Sequence, residues 1–259
     1  MLSIARVLVS IEHLYKYGRL NEHSESLFSE PRIWFSVPSQ FNDPFECHPW
    51  YSFEETNEQK VESAARMLRN QNPDLTPHSA NAEAVSLFLQ GHHRNPEVQA
   101  SAREDALRKL ESVGMYCLSR IRDSILMWSH YACDHRGYCL EFNATDHMFK
   151  EAQCVHYSDD YPVVEFYSTP IEKQVELVFL TKYLGWRYEQ EWRIIDFRNG
   201  SGIKPYPRDL LTGVVFGTRM PDSDKTLIRS WVNRRGHNVK FYQCTQNDRK
   251  FTIDISEIE

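Results

Sequence analysis

Two glutamates and an arginine stand close together in the stretch GWRYEQEWRII, residues 185–195. Side chains alternate between faces along an extended strand, so Glu189, Glu191 and Arg193 are predicted to share one face. In such a pair of acids, one carboxylate can hold a sugar hydroxyl while the other stabilises a cationic carbon. The pattern therefore favours oxocarbenium chemistry. The alternative is the self-compensating charged face of an edge strand.

A second group of chemically active side chains lies in ILMWSHYACDHRGYCLEF, residues 125–142. Its first half is predicted as a short amphipathic helix that buries Trp128 and Tyr131, while His130 can line a pocket. The stretch also holds possible zinc ligands, namely His130, Cys133, His135 and Cys139. Their spacing lacks the CxxC or HxxxH pairing of a compact zinc site, so we expect no metal here.

A third group lies in PRIWFSVPSQFNDPFE, residues 31–46. Residues 33–37 are predicted as a short strand that carries Ser36, and PSQFNDP as a turn-rich loop. Asn42 and Asp43 can initiate this turn through Asx hydrogen bonds, which is a structural use. Together with Phe41 they also suit a ligand that must be stacked and hydrogen-bonded.

The elements that position these groups begin with an apolar stretch up to Tyr17, predicted as helix or strand. Within it, Lys16 stands between two tyrosines, a pattern typical of an edge strand with an exposed lysine head. Residues 54–113 are rich in Ala, Glu, Gln, Asn and Arg at helical spacing, and are predicted as a helical insert.

After Gly114, short strands and helices follow one another irregularly. The predicted strands are MYCLSR, GYCLEFN, CVHYSD, EWRIIDF, LTGVVFGTRM, VKFYQC and FTIDI, and the predicted helices are ILMWSHYA, IEKQVELVFLTKYL and SDKTLIRSWVNRR. The second helix is expected to end at Gly185. Neither a repeating βαβ spacing nor a Gly-rich phosphate loop is present. We therefore predict a single α+β domain over residues 1–259 and not a doubly wound nucleotide-binding fold.

The composition is that of a globular protein, with 259 residues, 41% hydrophobic and 25% charged. No window approaches the roughly 18 apolar residues of a membrane span. The N-terminus lacks a basic leader and a cleavage site, so a cytoplasmic protein without a signal peptide is expected. Six dispersed cysteines are predicted to be reduced. A net charge of -6 gives no global reason to bind nucleic acid, although a local basic groove stays possible.

Taken in order, the blocks LYKY, IWFSVPSQFNDPFE, LSR with MWSHYACDHRGYCLEF, VHYS, WRYEQEWRI and GVVFGTRM resemble an uncharacterised bacterial family, domain of unknown function 2971. The resemblance spans about residues 14–220 apart from the helical stretch. Its most specific blocks are FNDPFE and YEQEWR. The family label implies no activity.

A looser resemblance is to the ADP-ribosyltransferase superfamily, whose three-part signature holds NAD. By this resemblance Lys16 stands at the early His or Arg, Ser36 at the middle hydroxyl, and Glu191 at the catalytic Glu, with Glu189 as the first acid of an E-x-E pair. Lys16 is a departure, because a lysine offers a point charge and not the planar fork of arginine. The NAD-binding residues are then expected to be Lys16, Tyr17, Ser36, Phe41, Asn42, Asp43, Trp128, His130, Tyr131 and Arg193.

The resemblance implies an NAD-consuming ADP-ribosyltransferase or NAD glycohydrolase, with NAD as substrate and a nucleic acid, a protein or water as acceptor. A bacterial toxin or anti-phage effector is the expected role. One alternative is a non-catalytic module that binds a nucleotide, a nucleic acid or a protein. Another is a metal-dependent hydrolase or nuclease that uses the His and Cys cluster with Asp43, Glu46 or Asp123. The oligomeric state stays open.

Overall fold

The structure of the chain is a computed structural model that describes residues 11–259. Within them the strands are β1 (His13–Gly18), β2 (Arg32–Phe35), β3 (Trp50–Ser52), β4 (Gly114–Ser119), β5 (Tyr138–Asn143), β6 (Gln153–Cys154), β7 (His156–Ser158), β8 (Val163–Glu165), β9 (Thr181–Tyr183), β10 (Glu191–Asp196), β11 (Gly202–Pro205), β12 (Leu211–Phe216), β13 (Lys240–Gln246) and β14 (Ile253–Ile258). The α-helices are α1 (Ser24–Ser29), α2 (Asn57–Gln71), α3 (Pro77–Leu89), α4 (Pro96–Leu110), α5 (Ile125–Tyr131), α6 (Ile171–Phe179) and α7 (Asp222–Asn233). The first part of the apolar stretch predicted up to Tyr17 lies outside the described residues.

The chain is an α+β protein that divides into two compact units. Unit 1 contains residues 11–36, 114–155 and 184–259, and unit 2 contains residues 37–113 and 156–183. Helices α2, α3 and α4 fall within the stretch for which a helical insert was expected. The single domain over residues 1–259 stays a prediction.

Unit 1 is built on a mixed sheet with the strand order β14-β13-β12-β5-β1-β4-β10-β6. Strands β12 and β13 are parallel and are joined by helix α7, as a parallel pair requires, whereas the other neighbours are antiparallel. Strand β10, which carries the predicted acids, pairs with β4 in the register Glu191 to Ser119 and Arg193 to Cys117. A separate pair, β2 with β11, completes the strands of this unit.

Each face of this sheet packs against its own apolar core. Leu14, Leu140 and Val214 lie in the larger core with residues of α1 and α7, among them Phe28 and Ile228. The smaller core lies beneath α5 and contains Tyr17, Met127, Trp128, Ala132, Cys139, Val215, Cys244 and Ile253. Strand alternation sends neighbouring residues of one strand, such as Leu14 and Tyr15, into opposite faces.

Unit 2 contains the three long helices and two short parallel strand pairs, β3 with β8 and β7 with β9. The helices begin where the sequence supplies caps. Thr56 and Thr76 accept hydrogen bonds from Gln59 and Ser79, and Asn95 accepts one from Glu97. Prolines occupy the first positions of α3 and α4, where no amide hydrogen is needed.

One predicted helix is shorter than its apolar spacing indicates. The helix over IEKQVELVFLTKYL ends at Phe179 and not at Gly185. Thr181 begins strand β9, and Lys182 in that strand forms a buried ion pair with Glu46 at 3.0 Å between Nζ and Oε1. The local spacing was therefore overridden by strand pairing and by a buried charge that needs its partner.

The single strand predicted over CVHYSD is also wrong. The chain forms β6 in unit 1 and β7 in unit 2, separated at Val155. The amide of Val155 donates to the Glu191 carbonyl at 3.0 Å, whereas the amide of His156 donates to the Leu180 carbonyl at 2.7 Å. The strand predictions for MYCLSR, GYCLEFN, EWRIIDF, VKFYQC and FTIDI, and the helices over ILMWSHYA and SDKTLIRSWVNRR, are confirmed. The strand predicted over LTGVVFGTRM is confirmed as far as Phe216, where β12 ends.

The turn after β10 generates a pH prediction. Burial alone would raise the pKa of Asp196, but hydrogen bonds from Asn199, Lys204 and Arg198 outweigh it and lower the pKa from 3.8 to about 2. A lowered carboxyl pKa stabilises the fold above the unfolded value and loses that effect as the pH falls towards 2. Asp196→Asn is therefore expected to lower the melting temperature at pH 7, with a difference from wild type that shrinks between about pH 4 and pH 2. A difference independent of pH would contradict this.

Helix α5 provides a stability prediction for the smaller core. Trp128 is fully buried and its Nε1 donates to the Arg122 carbonyl at 2.8 Å. Trp128→Ala is expected to lower the free energy of unfolding in urea by about 3–5 kcal/mol, because it leaves a cavity and an unpaired carbonyl. Leu126→Ala is the control on the same helix, since Leu126 is exposed, and should cost less than about 1 kcal/mol. If both variants lowered the free energy of unfolding equally, burial of Trp128 would not be what stabilises the packing of α5 on this core.

Candidate functional site

The acid-bearing segment changes conformation between its two glutamates. Glu191 is the first residue of β10, whereas Glu189 is the last residue of a 3₁₀ turn, Leu184–Glu189. Gln190 between them has a positive φ of 43°. The prediction that Glu189 shares the strand face of Glu191 and Arg193 is therefore wrong in its geometry, because Glu189 does not belong to the strand. Both acids are nevertheless buried.

Glu191 and Arg193 form a bidentate ion pair along one strand face. Arg193 Nε donates to Oε1 of Glu191 at 2.7 Å, and Nη2 donates to Oε2 at 3.0 Å. Arg193 is 0% exposed and Glu191 is 5% exposed. Forked, charge-assisted hydrogen bonds of this kind are among the strongest in proteins, and the guanidinium favours the charged carboxylate. The predicted shared face of Glu191 and Arg193 agrees with this geometry.

Cys117 lies opposite Arg193 on the neighbouring strand β4. Burial raises the pKa of the Cys117 thiol well above its usual value, and the charge of Glu191 and a side-chain hydrogen bond to it act in the same direction. A thiol in this state is a weak nucleophile. Cys117 therefore packs against the ion pair as a neutral group.

Glu189 is held by groups from two other elements. The hydroxyl of Tyr131, at the end of α5, donates to Glu189 Oε1 at 2.5 Å, and the hydroxyl of Ser119 in β4 donates to the Glu189 carbonyl at 2.6 Å. Beside them, His130 Nδ1 and the Tyr188 hydroxyl lie 2.9 Å apart. The structure thus brings together the predicted residues His130, Tyr131, Glu189, Glu191 and Arg193. We call this group the β10 cluster.

Two residues of the cluster's surroundings were missed from the sequence. Ser119 and Tyr188 hold Glu189 and His130, yet neither had been identified as a site residue. Ser119 lies close to Glu189 because β4 pairs with β10. This pairing joins distant parts of the sequence, so no local motif predicts it. Tyr188 lies within YEQEWR and could have been included on its proximity to Glu189 alone.

Tyr17 and Trp128 lie in the smaller core. Their rings meet edge to face, with centroids 5.2 Å apart, and both side chains are buried. The Tyr17 hydroxyl donates to the Ile121 carbonyl at 3.0 Å, and burial raises the Tyr17 pKa far above its usual value. Both aromatic residues are therefore used in packing. Neither has an exposed ring face on which a nucleotide could stack, so the expectation that they bind NAD does not agree with their burial.

Lys16 and Ser36 lie apart from the β10 cluster in their contacts. Tyr15 pairs with Ser119 on the face of Glu191, so alternation puts Lys16 on the opposite face of the sheet. The Lys16 Nζ donates to the Cys117 carbonyl at 2.8 Å and lies 4.9 Å from the centre of the Tyr116 ring. Ser36 forms a backbone bridge to Met115, the second residue of β4.

Phe41, Asn42 and Asp43 belong to unit 2. Asp43 Oδ1 accepts a hydrogen bond from the Phe45 amide at 2.9 Å, which is the Asx turn expected from the sequence. Asp43 is buried and lines a small cavity of this unit, whereas Asn42 is exposed.

Among residues 11–259 no group of three or more His, Cys, Asp or Glu side chains is arranged to hold a metal ion. Of the acids considered for a metal-dependent enzyme, Asp43 and Glu46 lie in unit 2 and Asp123 in unit 1. No helix in the described part of the chain is long and apolar enough to cross a membrane. None of the six cysteines, all of which lie within residues 11–259, forms a disulfide bond.

Comparison with known proteins gives one family match. The model of the family described as Protein of unknown function (DUF2971) matches residues 127–194, about a quarter of the chain. The matched segment contains every residue of the β10 cluster. No curated protein and no solved structure matches the chain.

The buried ion pair generates a double-mutant prediction. Glu191→Gln leaves a buried guanidinium without its carboxylate and is expected to lower the free energy of unfolding by about 3 kcal/mol or more. Arg193→Met should likewise be destabilising. The double variant should be less destabilised than the sum of the two, with a coupling of at least about 1.5 kcal/mol in urea denaturation.

The matched control is the cross-strand pair Lys240–Glu257, which has a similar distance of 3.0 Å but lies at the surface. Its double-mutant cycle is expected to show no measurable coupling. Similar coupling in both cycles would mean that burial does not strengthen the Glu191–Arg193 pair.

Proposed function

We propose that the chain is an NAD-consuming enzyme, an ADP-ribosyltransferase or NAD glycohydrolase, whose chemistry takes place at the β10 cluster. The observation that carries the proposal is the buried Glu191 at the first residue of β10, held by the Arg193 fork and preceded by Glu189. In the ADP-ribosyltransferase superfamily the catalytic glutamate also begins a late strand. The α+β fold is compatible with this likeness.

The physical requirement of the reaction suits a fixed carboxylate. Breaking the bond between nicotinamide and ribose builds positive charge on the ribose, so a negative group positioned beforehand stabilises the transition state more than the ground state. Its effect is larger in a buried site than in water. Glu191 would supply this charge, and Glu189, oriented by Tyr131, would hold a ribose hydroxyl. No metal takes part in this scheme.

The cellular role forms part of the same proposal. An enzyme of this class that acts in the bacterial cytoplasm would deplete NAD or modify a nucleic acid or protein, which are the actions of toxins and anti-phage effectors. Reduced cysteines agree with a cytoplasmic location.

A second candidate is a non-catalytic module that binds a nucleotide or a macromolecule. The position of Lys16 on the opposite sheet face favours it, because the residue expected to stand at the early His or Arg of the NAD-binding signature instead binds a backbone carbonyl. The packing of Tyr17 and Trp128 in the core favours it as well. The two candidates differ in whether nicotinamide is released.

The test is nicotinamide release from NAD by purified protein, with and without nucleic-acid and protein acceptors. Wild type is expected to release nicotinamide. Glu189→Gln, which keeps an acceptor for Tyr131, and Glu191→Asp, which keeps a charge for Arg193 but retracts it by one methylene, should each lower the rate about a hundredfold or more. Melting temperatures are measured for every variant, so that loss of activity is separated from loss of fold.

Glu151→Gln is the control, because it removes an exposed carboxylate of unit 1 outside the β10 cluster and should keep the wild-type rate. Release that persists in Glu189→Gln and Glu191→Asp would place the chemistry elsewhere. No release by wild type with any acceptor, together with a melting temperature raised by NAD, would favour the binding module.

A further inference from the structure

Unit 2 exposes a group of large apolar side chains that we call the aromatic patch. Its members are Phe45 (68% exposed), Trp50 (56%), Tyr161 (45%), Val163 (49%) and Tyr183 (59%). Single exposed apolar residues are ordinary, but a contiguous group indicates an interaction surface. Aromatic side chains are also the residues that dominate binding energy at protein interfaces.

Contacts join four members of the patch in two pairs, and Pro162, whose carbonyl accepts from the Trp50 amide at 2.9 Å, lines the same cavity as Phe45, Tyr161 and Tyr183. The Phe45 and Tyr161 rings meet edge to face, with centroids 6.4 Å apart. Trp50 pairs with Val163 across β3 and β8, and both point outward, whereas their neighbours Tyr51 and Val164 point inward. Alternation would ordinarily place polar residues on the outward face. Here the first pair on that face, Trp50 and Val163, is apolar, and the next pair, Ser52 and Glu165, is polar.

A small cavity opens among three of these residues. Phe45, Tyr161 and Tyr183 line a space of about 60 Å³. This volume exceeds the roughly 15 Å³ that one water needs and suits a group of a few heavy atoms. The other lining residues include four carboxylates and one lysine, which leaves a formal charge of three negative units, from Asp43, Glu46, Asp159, Asp160 and Lys182.

Two of these carboxylates provide the accessible charge. Glu46 is paired with Lys182 in a buried ion pair, which fixes the floor of the cavity. Asp159 and Asp160 are exposed at its mouth. Carboxylates beside aromatic ring faces are complementary to a cation, since ring faces attract ammonium and guanidinium groups. The chain already uses this contact within the patch, where the Arg103 guanidinium lies 4.7 Å from the centre of the Trp50 ring.

We propose that the aromatic patch docks a basic polypeptide segment and that the cavity receives one lysine or arginine side chain of that partner. The negative lining selects a cationic side chain. The apolar surface of Trp50 and Val163, which lies outside the cavity lining, contacts the flanking residues of the segment. This extension beyond the cavity favours a polypeptide over a free polyamine, which would need only the cavity. The proposal does not depend on NAD chemistry at the β10 cluster.

The test measures binding of a fluorescein-labelled octalysine peptide by fluorescence anisotropy at about 0.1 M salt, where long-range attraction is screened. Wild type is expected to bind it. Asp159→Asn/Asp160→Asn and Tyr183→Ala should each weaken binding about five- to tenfold, because they remove the accessible charge or a ring face. All three positions are exposed, so the fold should be retained, which the melting temperature checks.

The matched control is Glu83→Gln/Glu104→Gln, which removes two exposed charges of unit 2 outside the cavity and should bind like wild type. Equal weakening in this control would attribute binding to net charge and overturn the proposal. Absence of binding by wild type would overturn it as well. If spermine at the same concentration of positive charge displaces the peptide, the bound partner would be a free polyamine and not a polypeptide, which would also overturn the proposal.

Discussion

The buried pair of Glu191 and Arg193 is the interaction on which the geometry of unit 1 near β10 depends. Burying two charges away from water costs free energy unless each charge is paired with the other in good geometry. The two hydrogen bonds from Arg193 to Glu191, at 2.7 and 3.0 Å, provide this pairing. The pair requires β10 to be extended, so that residues two apart share a face, and requires β4 beside it to shield that face. Cys117, a neutral thiol, fills the neighbouring position on β4. A register shift of one residue would carry both charges to the opposite face, into the larger apolar core.

The same constraint organises the groups around the pair. Because β10 must begin at Glu191, the chain before it turns tightly through Gln190 and leaves Glu189 at the end of a 3₁₀ turn, within reach of Tyr131 and Ser119. Two carboxylates are thereby held by different partners: one by a guanidinium and the other by a phenol. This difference suits a division of labour in which one acid remains a fixed charge and the other holds a hydroxyl of the substrate.

The sequence predicted the local parts of this arrangement and failed where partners are distant. The i, i+2 spacing of Glu191 and Arg193 was sufficient to predict a shared face, and capping residues such as Thr56 marked the helices of unit 2. Glu189 was placed wrongly because nothing local shows that the strand begins at residue 191. The face on which Lys16 lies depends on how β1 pairs with β4, a non-local property. The premature end of α6 reflects the need of Lys182 to reach Glu46, which lies more than a hundred residues earlier.

Binding of NAD at the β10 cluster can be measured by an NMR titration that observes the side-chain Nε–H of Arg193, because that proton lies in the hydrogen bond to Glu191. Ligand bound at the β10 cluster should shift this resonance together with the backbone amides of Tyr131, Glu189 and Gln190. These shifts are expected to saturate at one common dissociation constant. Shifts confined to residues outside the cluster, or no shift at any NAD concentration, would contradict the assignment of the β10 cluster as the NAD site.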